Sequence, residues 1–334
     1  MISVIVATYN QETTIGRTLD GILRQQCSEP LEIIVGEDCS TDGTLAVCRS
    51  YEKQYPGVVR VIANRPNKGV VDNYFDCLLA AHGDYLADCA GDDEWSDPLK
   101  LEKEVTILRQ HPEVVLVHTD YLMRDAATGQ LRRPAPKWWG TNGAVEITPG
   151  DEMVWHVLEH EWRPAVHLCT ALWRADAFRR IYDKHHLMLR DKRYMMEDVQ
   201  LTALLATEGA MAYIPEATLW YECGKVSVGS PADEDKKFRF QRGVLLCLTD
   251  LYCTLGLDDR KQISTIYERH VFALMMHAFR GHNAANRKEA LRLADNLLPA
   301  LSPRIRRVRF ATSNAVLWHL ALLARKIFVF TKKF

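Results

Sequence analysis

The chain lacks several patterns that would assign it to common protein classes. It has almost no excess charge, because 42 Lys and Arg against 43 Asp and Glu give a formal net charge of -1. Such a balance does not favour nucleic acid as a partner, since a phosphate backbone selects for basic surfaces. The nine cysteines are irregularly spaced, with no Cys-x-x-Cys pair. This argues against a disulfide framework and a zinc site, and it fits a reducing cytosol.

The sequence also predicts neither a secretion leader nor a membrane-spanning segment. Met1 runs directly into an apolar strand-like segment, without the basic region and cleavage site of a secretion signal. Near the C-terminus, AVLWHLALLARKIFVF is too short and too interrupted by His319, Arg325 and Lys326 to span a bilayer. Residues 296–334 nevertheless contain eight Lys and Arg and no acidic residue. We predict a cytoplasmic protein whose basic amphipathic tail lies on an anionic membrane, docks as an ordinary terminal helix or contacts a second subunit.

Periodicity predicts an α/β fold with a helical C-terminal region. Short β-branched runs at 2–8, 31–36, 58–63, 84–88 and 114–118 alternate with helical patterns, of which two lie near 42–54 and 69–81. This alternation indicates right-handed crossovers and a mostly parallel sheet. Residues 129–165, rich in Gly, Pro and Trp, predict irregular binding loops. From about residue 236 the pattern is helical, with segments near 238–254, 262–280, 286–298 and 314–330.

Acidic residues cluster where this topology puts functional loops. The clusters are Glu37-Asp38, Asp92-Asp93-Glu94 and Glu197-Asp198. In a parallel sheet, ligands bind where loops leave the carboxyl ends of the strands. Crowded carboxylates are costly unless a cation or a proton-transfer task compensates them. The clusters therefore predict a site at that edge of the sheet.

Each cluster has a functional and a structural interpretation. Asp93, after Asp92 and a Gly91 expected to allow a tight turn, can hold Mg²⁺ or Mn²⁺ against a diphosphate, or it can belong to a solvated turn. Asp38 can accept hydrogen bonds from a base or ribose, whereas its neighbours can cap the following helix. Asp198 precedes an apolar helical pattern. It can take a proton from an attacking hydroxyl, or it can simply cap that helix.

The order of five segments adds a family resemblance. SVIVATYN, EIIVGEDCSTDGT, NKGVVDN, GDYLADCAGDDEWSDPLKL and MMED occur in this order within about residues 1 to 225. Together they resemble the family-two glycosyltransferases, whose fold is the nucleotide-binding A-type glycosyltransferase sandwich. The resemblance implies an inverting, metal-dependent enzyme that moves a sugar from a nucleotide-sugar donor, by implication a UDP-sugar, to a hydroxyl of a glycan or lipid-linked acceptor.

The resemblance also implies a division of the chain. Residues 1–230 would form the catalytic domain, with a donor half at 1–125 and an acceptor half at 126–230. Residues 231–334 would form the helical region with the basic tail. By fold-level analogy, the product would be a cell-surface polysaccharide or a lipopolysaccharide-like glycan.

The resemblance also implies roles for individual residues, according to their positions in the five motifs. For the donor, the matching residues are Ala7, Tyr9 and Asp38 in the base pocket, with Asp38 accepting from a uracil-type ring nitrogen, and Asn67, Gly69 and Asn73 in a loop that closes over the donor. For the chemistry, they are Asp92 facing the ribose, Asp93 as the ligand of Mn²⁺ or Mg²⁺, and Asp198 with Glu197 as the acid/base pair. The resemblance therefore predicts all three acidic clusters in one pocket.

The sequence departs from the family pattern at three places. Many relatives have Asp-x-Asp where this chain has Ala90-Gly91-Asp92-Asp93, and they often have Arg-Asn where it has Asp72-Asn73. Where relatives often have Tyr-Arg and a following His, this chain has Tyr221-Glu222-Cys223-Gly224-Lys225. The missing His removes a possible second metal ligand. Donor-sugar identity therefore does not carry over.

Two other functions, and the roles of several tryptophans and histidines, remain open. A nucleotidyltransferase shares the sheet and the acidic metal site but usually opens with a Gly-rich phosphate loop, which ATYNQETT lacks. A non-catalytic sugar-nucleotide-binding module would not need Glu197-Asp198. Three tryptophans are expected either to stack on acceptor sugars or to pack within a loop: Trp138, Trp139 and Trp162. His118 is expected in the core, and His185-His186 on the surface.

Overall fold

The computed structural model describes residues 1–134, 143–159, 166–224, 233–257 and 259–331. The chain divides into two compact units. The first contains residues 1–192 and 196–225, and the second contains 193–195 and 226–334. Trp138, Trp139 and Trp162 lie outside the described residues, so their predicted stacking role stays a prediction.

The described residues form ten strands, twelve α-helices and a short 3₁₀ turn at Leu168–Thr170. The strands are β1 Ile2–Thr8, β2 Leu31–Glu37, β3 Val59–Ala63, β4 Tyr85–Asp88, β5 Glu94–Trp95, β6 Val114–Asp125, β7 Leu131–Arg132, β8 Glu146–Thr148, β9 Ala171–Arg174 and β10 Ala210–Cys223. The helices are α1 Ile15–Leu23, α2 Thr44–Gln54, α3 Val70–Leu79, α4 Lys100–Gln110, α5 Gly150–Glu159, α6 Ala175–Leu189, α7 Asp198–Ala206, α8 Glu234–Leu255, α9 Arg260–Gly281, α10 Ala284–Leu297, α11 Pro303–Ala311 and α12 Ala315–Thr331.

All ten strands belong to one mixed sheet. Its main path is β3-β2-β1-β4-β9-β6-β10-β5, with β7 beside β6 and β8 beside β10. The pairs β1·β2, β2·β3, β1·β4 and β6·β10 are parallel, whereas β9 runs antiparallel to both β4 and β6. This confirms the predicted α/β class with a mostly parallel central sheet.

Strand register places several loops at one edge of the sheet. Thr8 at the end of β1 pairs with Glu37 at the end of β2, and Glu37 pairs with Ala63 at the end of β3. Asp88 ends β4 beside Ile5, three residues before the end of β1. Because parallel strands have their carboxyl ends on the same side, the segments that follow all four strands open together.

The β-branched runs form these strands because both faces of the central sheet are covered. Val4, Val6, Ile33 and Val35 on one face and Ile5 and Ile34 on the other are completely buried, and α1 packs on the first face through Ile15, Leu19 and Ile22. A parallel strand buried on both faces has a continuous apolar sequence rather than an alternating one. Such runs are recognisable without a structure.

Residues 129–165 are less irregular than the sequence predicted. Helix α5 lies in this segment, with Met153, Val154 and Leu158 buried, and β7 and β8 lie there too. Helix α11 lies between two predicted helical segments. Its four arginines leave little apolar periodicity, although Ser302 caps the helix and Pro303 occupies its first turn.

In the second unit, helices α8 to α12 have clear boundary residues. The side chain of Asp233 accepts a hydrogen bond from the Lys236 N–H at the start of α8, and Gly256 ends that helix in the left-handed conformation. Asp259 and Asn283 cap α9 and α10 in the same way. Among the described residues, no helix combines the length and the apolar character needed to cross a bilayer.

Candidate functional site

The loops after β1 and β2 are joined by hydrogen bonds. The Asn10 N–H donates to Ser40 Oγ (3.0 Å), and Asn10 Oδ1 accepts from the Thr41 N–H (2.8 Å). The Gln11 N–H donates to Thr44 Oγ1 (2.8 Å). Since Thr44 is the first residue of α2, the two loops and this helix form one connected wall of the site.

Asp38 holds the loop that precedes α3. Its carboxylate accepts hydrogen bonds from the Lys68 N–H (2.8 Å), the Gly69 N–H (2.8 Å) and Asn64 Nδ2 (3.0 Å). Asn67 Nδ2 donates to the Asp38 carbonyl (2.6 Å). A carboxylate has about four acceptor positions, so three are already used within the fold. Asp38, which is 3% exposed, therefore shapes this loop, and one of its four acceptor positions takes no hydrogen bond from the described residues.

The other residues predicted to contact the donor lie in different environments. Tyr9 is 48% exposed, whereas Ala7 is half-buried and its carbonyl accepts from the Gly91 N–H (3.4 Å). Gly69 has a φ of 84°, which favours glycine. Asn73 was predicted in the closing loop, but it lies in α3, buried, with its amide bonded to the Gly36 carbonyl and to Asn64. Its observed contacts support β2.

Helix α1 fixes the acidic turn after β4. Thr14 Oγ1 donates to the Gly91 carbonyl (2.8 Å), Arg17 to the Asp92 carbonyl (2.8 Å) and Thr18 Oγ1 to the Asp93 carbonyl (2.6 Å). Gly91 lies in a tight turn, as predicted, because the Asp93 N–H donates to the Ala90 carbonyl (2.9 Å). Its φ is not positive, and a Cβ there would lie 2.8 Å from Thr8 Oγ1. Glycine therefore also permits this close approach.

Asp93 is 1% exposed and its two oxygens differ. Oδ1 accepts from the Glu222 N–H (2.9 Å), whereas Oδ2 is buried without a hydrogen-bond partner among the described residues. Burial raises the pKa of Asp93 to about 8, and the charge of Asp92 adds to this shift. An oxygen that is both dehydrated and unpaired is destabilised unless a cation or a proton compensates it.

These residues fit a divalent cation held partly by the substrate. Mg²⁺-type sites commonly use one or two carboxylates together with phosphate oxygens of the substrate. Asp93 Oδ2 and the adjacent Asp92 provide such carboxylates. In the described ranges, no group of three or more His, Cys, Asp and Glu side chains is arranged to hold an ion. A cation bound at Asp93 would therefore take its remaining ligands from the substrate or from water.

Asp88 is a member of this cluster that the sequence did not single out. It is 7% exposed, its Oδ2 accepts from the Tyr74 hydroxyl (2.9 Å), and its Oδ1 is buried without a hydrogen-bond partner among the described residues. Burial raises the pKa of Asp88 to about 6, and Asp198 adds to the shift. Asp88 and Asp198 therefore interact electrostatically.

Glu197 and Asp198 have different surroundings. Asp198 is exposed as the first residue of α7, where its Oδ1 accepts from the Val199 N–H (2.9 Å) and the helix dipole favours a negative charge. Glu197 is half-buried. Burial raises its pKa to about 8, with further contributions from Asp198 and Asp88. Near neutral pH, Glu197 therefore keeps its proton beside an accessible Asp198 carboxylate.

Glu222 at the end of β10 is a second residue that sequence reasoning missed as a site residue. Besides its main-chain bond to Asp93, its carboxylate pairs with Arg17 (2.9 Å) and with Arg124 (3.1 Å). Glu222 is 4% exposed and Arg124 is 13% exposed. Because Arg17 also binds the Asp92 carbonyl, Glu222 connects β10 and α1 to both residues of the acidic turn.

We expect Glu222→Gln to loosen this turn. Removing one partner of a buried ion pair typically costs about 3 to 5 kcal/mol because the other charge stays buried. Here Arg124 keeps its pair with Glu94 (2.7 Å) and Arg17 is 31% exposed, so we expect a smaller cost. The variant should have a lower melting temperature and should need several-fold more Mn²⁺ for half of the maximal Mn²⁺-induced rise in melting temperature. Asp176→Asn breaks an exposed pair with Arg180 and is the matched control, expected to cost less than about 1 kcal/mol. An unchanged Mn²⁺ requirement in Glu222→Gln would contradict this positioning role.

Two of the three histidines named from the sequence lie in the predicted environment. His118 is completely buried, and burial lowers its pKa to about 3, as expected for a core residue. His186 is exposed near the end of α6, whereas His185 is half-buried at a kink in that helix. None of these three lies in the acidic cluster.

Comparison with known proteins agrees with the fold and the motifs. Residues 3–156 match the profile described as glycosyl transferase family 2. The putative glycosyltransferase EpsE of Bacillus subtilis is 29% identical over 293 residues, which cover 87% of this chain and 96% of EpsE. The uncharacterized protein Rv1520 of Mycobacterium tuberculosis is 45% identical over 114 residues, which cover 34% of this chain and 33% of Rv1520.

A solved structure extends the similarity over most of the fold. Staphylococcus aureus TarS 1–349 in complex with UDP-GlcNAc superposes with a TM-score of 0.55 at 14% identity, covering 89% of this chain and 92% of TarS 1–349. The alignment with Rv1520 spans only about a third of that relative. Residues 3–156 therefore match the family-2 glycosyltransferase profile, and the chain has the A-type glycosyltransferase fold.

Proposed function

We propose that this protein is an inverting glycosyltransferase that uses a nucleotide-sugar donor and a divalent cation. One observation carries the proposal. Asp93, a buried carboxylate with one unpaired oxygen, and Asp198, an accessible carboxylate, are linked electrostatically through Asp88, which raises the pKa of both Asp93 and Glu197 and whose own pKa is raised by Asp198. Catalysis of a single displacement needs charge stabilisation at the leaving group and a proton acceptor at the nucleophile.

The residues of the site divide the chemistry between them. Asp198 accepts the proton of the acceptor hydroxyl as its oxygen attacks the anomeric carbon, and the nucleoside diphosphate leaves from the opposite face. Asp93 would hold the cation, which when bound would stabilise the negative charge of the departing diphosphate, and Asp92 would face the ribose. No sugar becomes attached to the protein in this step, so the anomeric configuration is inverted.

We assign the nucleoside to the wall formed by the loops after β1 and β2. Tyr9 is exposed there, and Asp38 has an acceptor position left after it has fixed the Asn67–Gly69 loop. A UDP-sugar is the donor we propose, with the Asp38 carboxylate accepting from the uracil ring. The complex of TarS 1–349 with UDP-GlcNAc supports this choice by fold likeness.

Product analysis tests the proposed function. The full chain is incubated with Mn²⁺ and, separately, with UDP-glucose, UDP-GlcNAc and GDP-mannose, and released nucleotide is quantified. Slow release of nucleoside diphosphate in one incubation, accelerated by an acceptor glycan, is the expected result. Release of pyrophosphate from a nucleoside triphosphate and a sugar phosphate would indicate a nucleotidyltransferase. Donor binding without any turnover would indicate a non-catalytic binding module.

We further propose that the helical unit brings the enzyme to an anionic membrane where a lipid-linked acceptor resides. On α12, Trp318 is buried, and Val316, Leu320 and Leu323 lie on the opposite face, 43% to 68% exposed. On α11, Phe310 is 69% exposed beside Arg306 and Arg307. Apolar and basic residues together are typical of an interfacial surface.

Vesicle sedimentation tests this surface. Each arginine near an anionic surface contributes about 1 kcal/mol, so replacing both Arg306 and Arg307 by Gln should weaken binding to phosphatidylglycerol vesicles about thirtyfold. Leu320→Gln should also weaken it, whereas Leu187→Gln, at an 82% exposed leucine of α6, should not. Equal binding by all variants would refute the proposal. Concentration-dependent dimers without vesicle binding would assign the surface to a second copy.

A further inference from the structure

Three aromatic rings beside the acidic cluster form a compact group. The ring centroids of His167 and Tyr221 are 4.8 Å apart, those of His167 and Tyr121 are 5.2 Å apart, and those of the two tyrosines are 5.9 Å apart. All three side chains are half-buried, whereas Phe75 and Phe178, in another aromatic group of this unit, are buried. The three rings therefore leave part of their surface accessible.

Strand pairing explains why the rings meet. In the parallel pair β6 and β10, Tyr121 lies opposite Leu219, and Tyr221 follows two residues later on the same face. His167 immediately precedes the 3₁₀ turn at Leu168–Thr170. That turn is fixed to the acidic loop, because the Cys169 carbonyl accepts from Trp95 Nε1 (2.8 Å) and Cys169 Sγ accepts from the Ala90 N–H (3.3 Å).

The group lies between the two ends of the proposed reaction site. Tyr221 is followed by Glu222, whose N–H donates to Asp93, so this ring is close to the proposed cation site. At the other end, burial lowers the pKa of His167, and the charge of the Asp198 carboxylate opposes that shift, so this ring interacts electrostatically with the proposed base. A sugar joined to a diphosphate at Asp93, with its anomeric carbon accessible to Asp198, would lie along these rings.

The chemistry of the group suits a pyranose ring. A sugar presents apolar C–H faces and a polar edge of hydroxyl groups, and ligand pockets commonly combine aromatic surfaces with a few well-placed polar groups. Tyr121 and Tyr221 offer ring surface, while Nδ1 of His167 is buried without a hydrogen-bond partner among the described residues. Burial lowers the pKa of His167 and so favours the neutral ring, which can exchange a hydrogen bond with a hydroxyl.

We propose that Tyr121, His167 and Tyr221 form the platform that binds the donor sugar and determines which sugar the enzyme accepts. This inference rests on the proposed function, because it requires a nucleotide-sugar donor in this site. It assigns the stacking role to residues of β6, β10 and the segment before β9, rather than to the tryptophans named from the sequence.

Binding measurements separate the sugar from its nucleotide. Calorimetric titration of the full chain with UDP, UDP-glucose and UDP-GlcNAc, each with Mn²⁺, gives the affinity added by the sugar. Aromatic contacts are worth up to about 1.5 kcal/mol, which is about tenfold in affinity. Tyr221→Leu should therefore weaken binding of the preferred UDP-sugar about tenfold and binding of UDP less than twofold. Tyr221→Phe, which keeps the ring, should bind both like the wild type.

Two further variants complete the test. His167→Phe retains an aromatic ring but cannot bond a hydroxyl, and it should change the relative affinity for UDP-glucose and UDP-GlcNAc. Tyr55→Leu is the matched control, because Tyr55 is a half-buried tyrosine that stacks on Tyr51 with centroids 6.2 Å apart. It should alter neither affinity.

The outcomes distinguish the two levels of the proposal. Normal UDP binding together with an unchanged UDP-sugar affinity in Tyr221→Leu, His167→Phe and Tyr121→Leu would overturn the platform and leave the proposed function intact. Failure of the wild type to bind any of UDP, UDP-glucose, UDP-GlcNAc or GDP-mannose would overturn both. Loss of UDP binding in Tyr221→Leu but not in Tyr221→Phe would assign the ring to the nucleotide, which also contradicts the platform.

Discussion

Replacing Asp198 by Asn is expected to reduce sugar transfer at least about a hundredfold, the usual consequence of losing a general base. The substitution keeps the shape of the side chain, and its amide oxygen can still accept from the Val199 N–H at the start of α7. Folding and donor binding should therefore persist. The measurement is the rate of nucleoside diphosphate release with a saturating acceptor, compared with the affinity for the donor.

Glu197→Gln is the matched control, because it imitates the protonated state that Glu197 holds near neutral pH. Burial raises the pKa of Glu197 to about 8, so removing its proton-binding carboxylate should cost less than about tenfold at pH 7. Above about pH 8 the wild type gains a second charge beside Asp198, and Glu197→Gln should lack any resulting change in rate. A hundredfold loss in Glu197→Gln with near-normal Asp198→Asn would reverse the two roles.

The first four strands could be predicted from sequence because their physical signal is local. β1 and β2 are buried on both faces, which produces uninterrupted apolar runs. β10 has no such run. Pro215 and Glu216 interrupt it, and its pairing with β6 shifts register between Ile214 and Ala217 and again before Leu219, so neither an apolar run nor strict alternation remains.

Two residues of the candidate site, Asp93 and Asp198, could be predicted because they stand in recognisable sequence motifs. Both belong to the acidic cluster. Asp88 was not predicted as a site residue because its sequence context is that of the last residue of an ordinary strand. Glu222 was missed because its bond to Asp93 uses a main-chain N–H, which every residue other than proline possesses.

The proposed aromatic platform shows a third reason why part of the site could not be predicted from the sequence. Tyr121, His167 and Tyr221 are separated by 46 and 54 residues along the chain, and only the β6·β10 pairing and the 3₁₀ turn bring them together. Composition directed attention to tryptophans instead, since tryptophan offers the largest ring. Long-range pairing is therefore the information that the sequence pattern did not supply.

Asp93→Asn is expected to remove most of the cation-dependent turnover, with a loss of at least about a hundredfold. The amide oxygen can still accept from the Glu222 N–H, as Oδ1 of Asp93 does at 2.9 Å. What disappears is the negative charge at the buried second oxygen. Nucleoside diphosphate release, measured across a Mn²⁺ titration, should lose its saturable increase, while Asp176→Asn, at an exposed aspartate of α6, should follow the wild-type curve.

The pH dependence of stability provides an independent test of the role of Asp93. Burial raises the pKa of Asp93 from 3.8 to about 8, so the folded protein retains a proton that the unfolded chain releases. Stability of the metal-free protein therefore falls as pH rises between these two values, and Asp93→Asn should remove this contribution. Mn²⁺ should raise the melting temperature of the wild type more at about pH 8 than at about pH 6, where protons compete for the carboxylate. An equal Mn²⁺-induced rise in Asp93→Asn would place the cation on other residues.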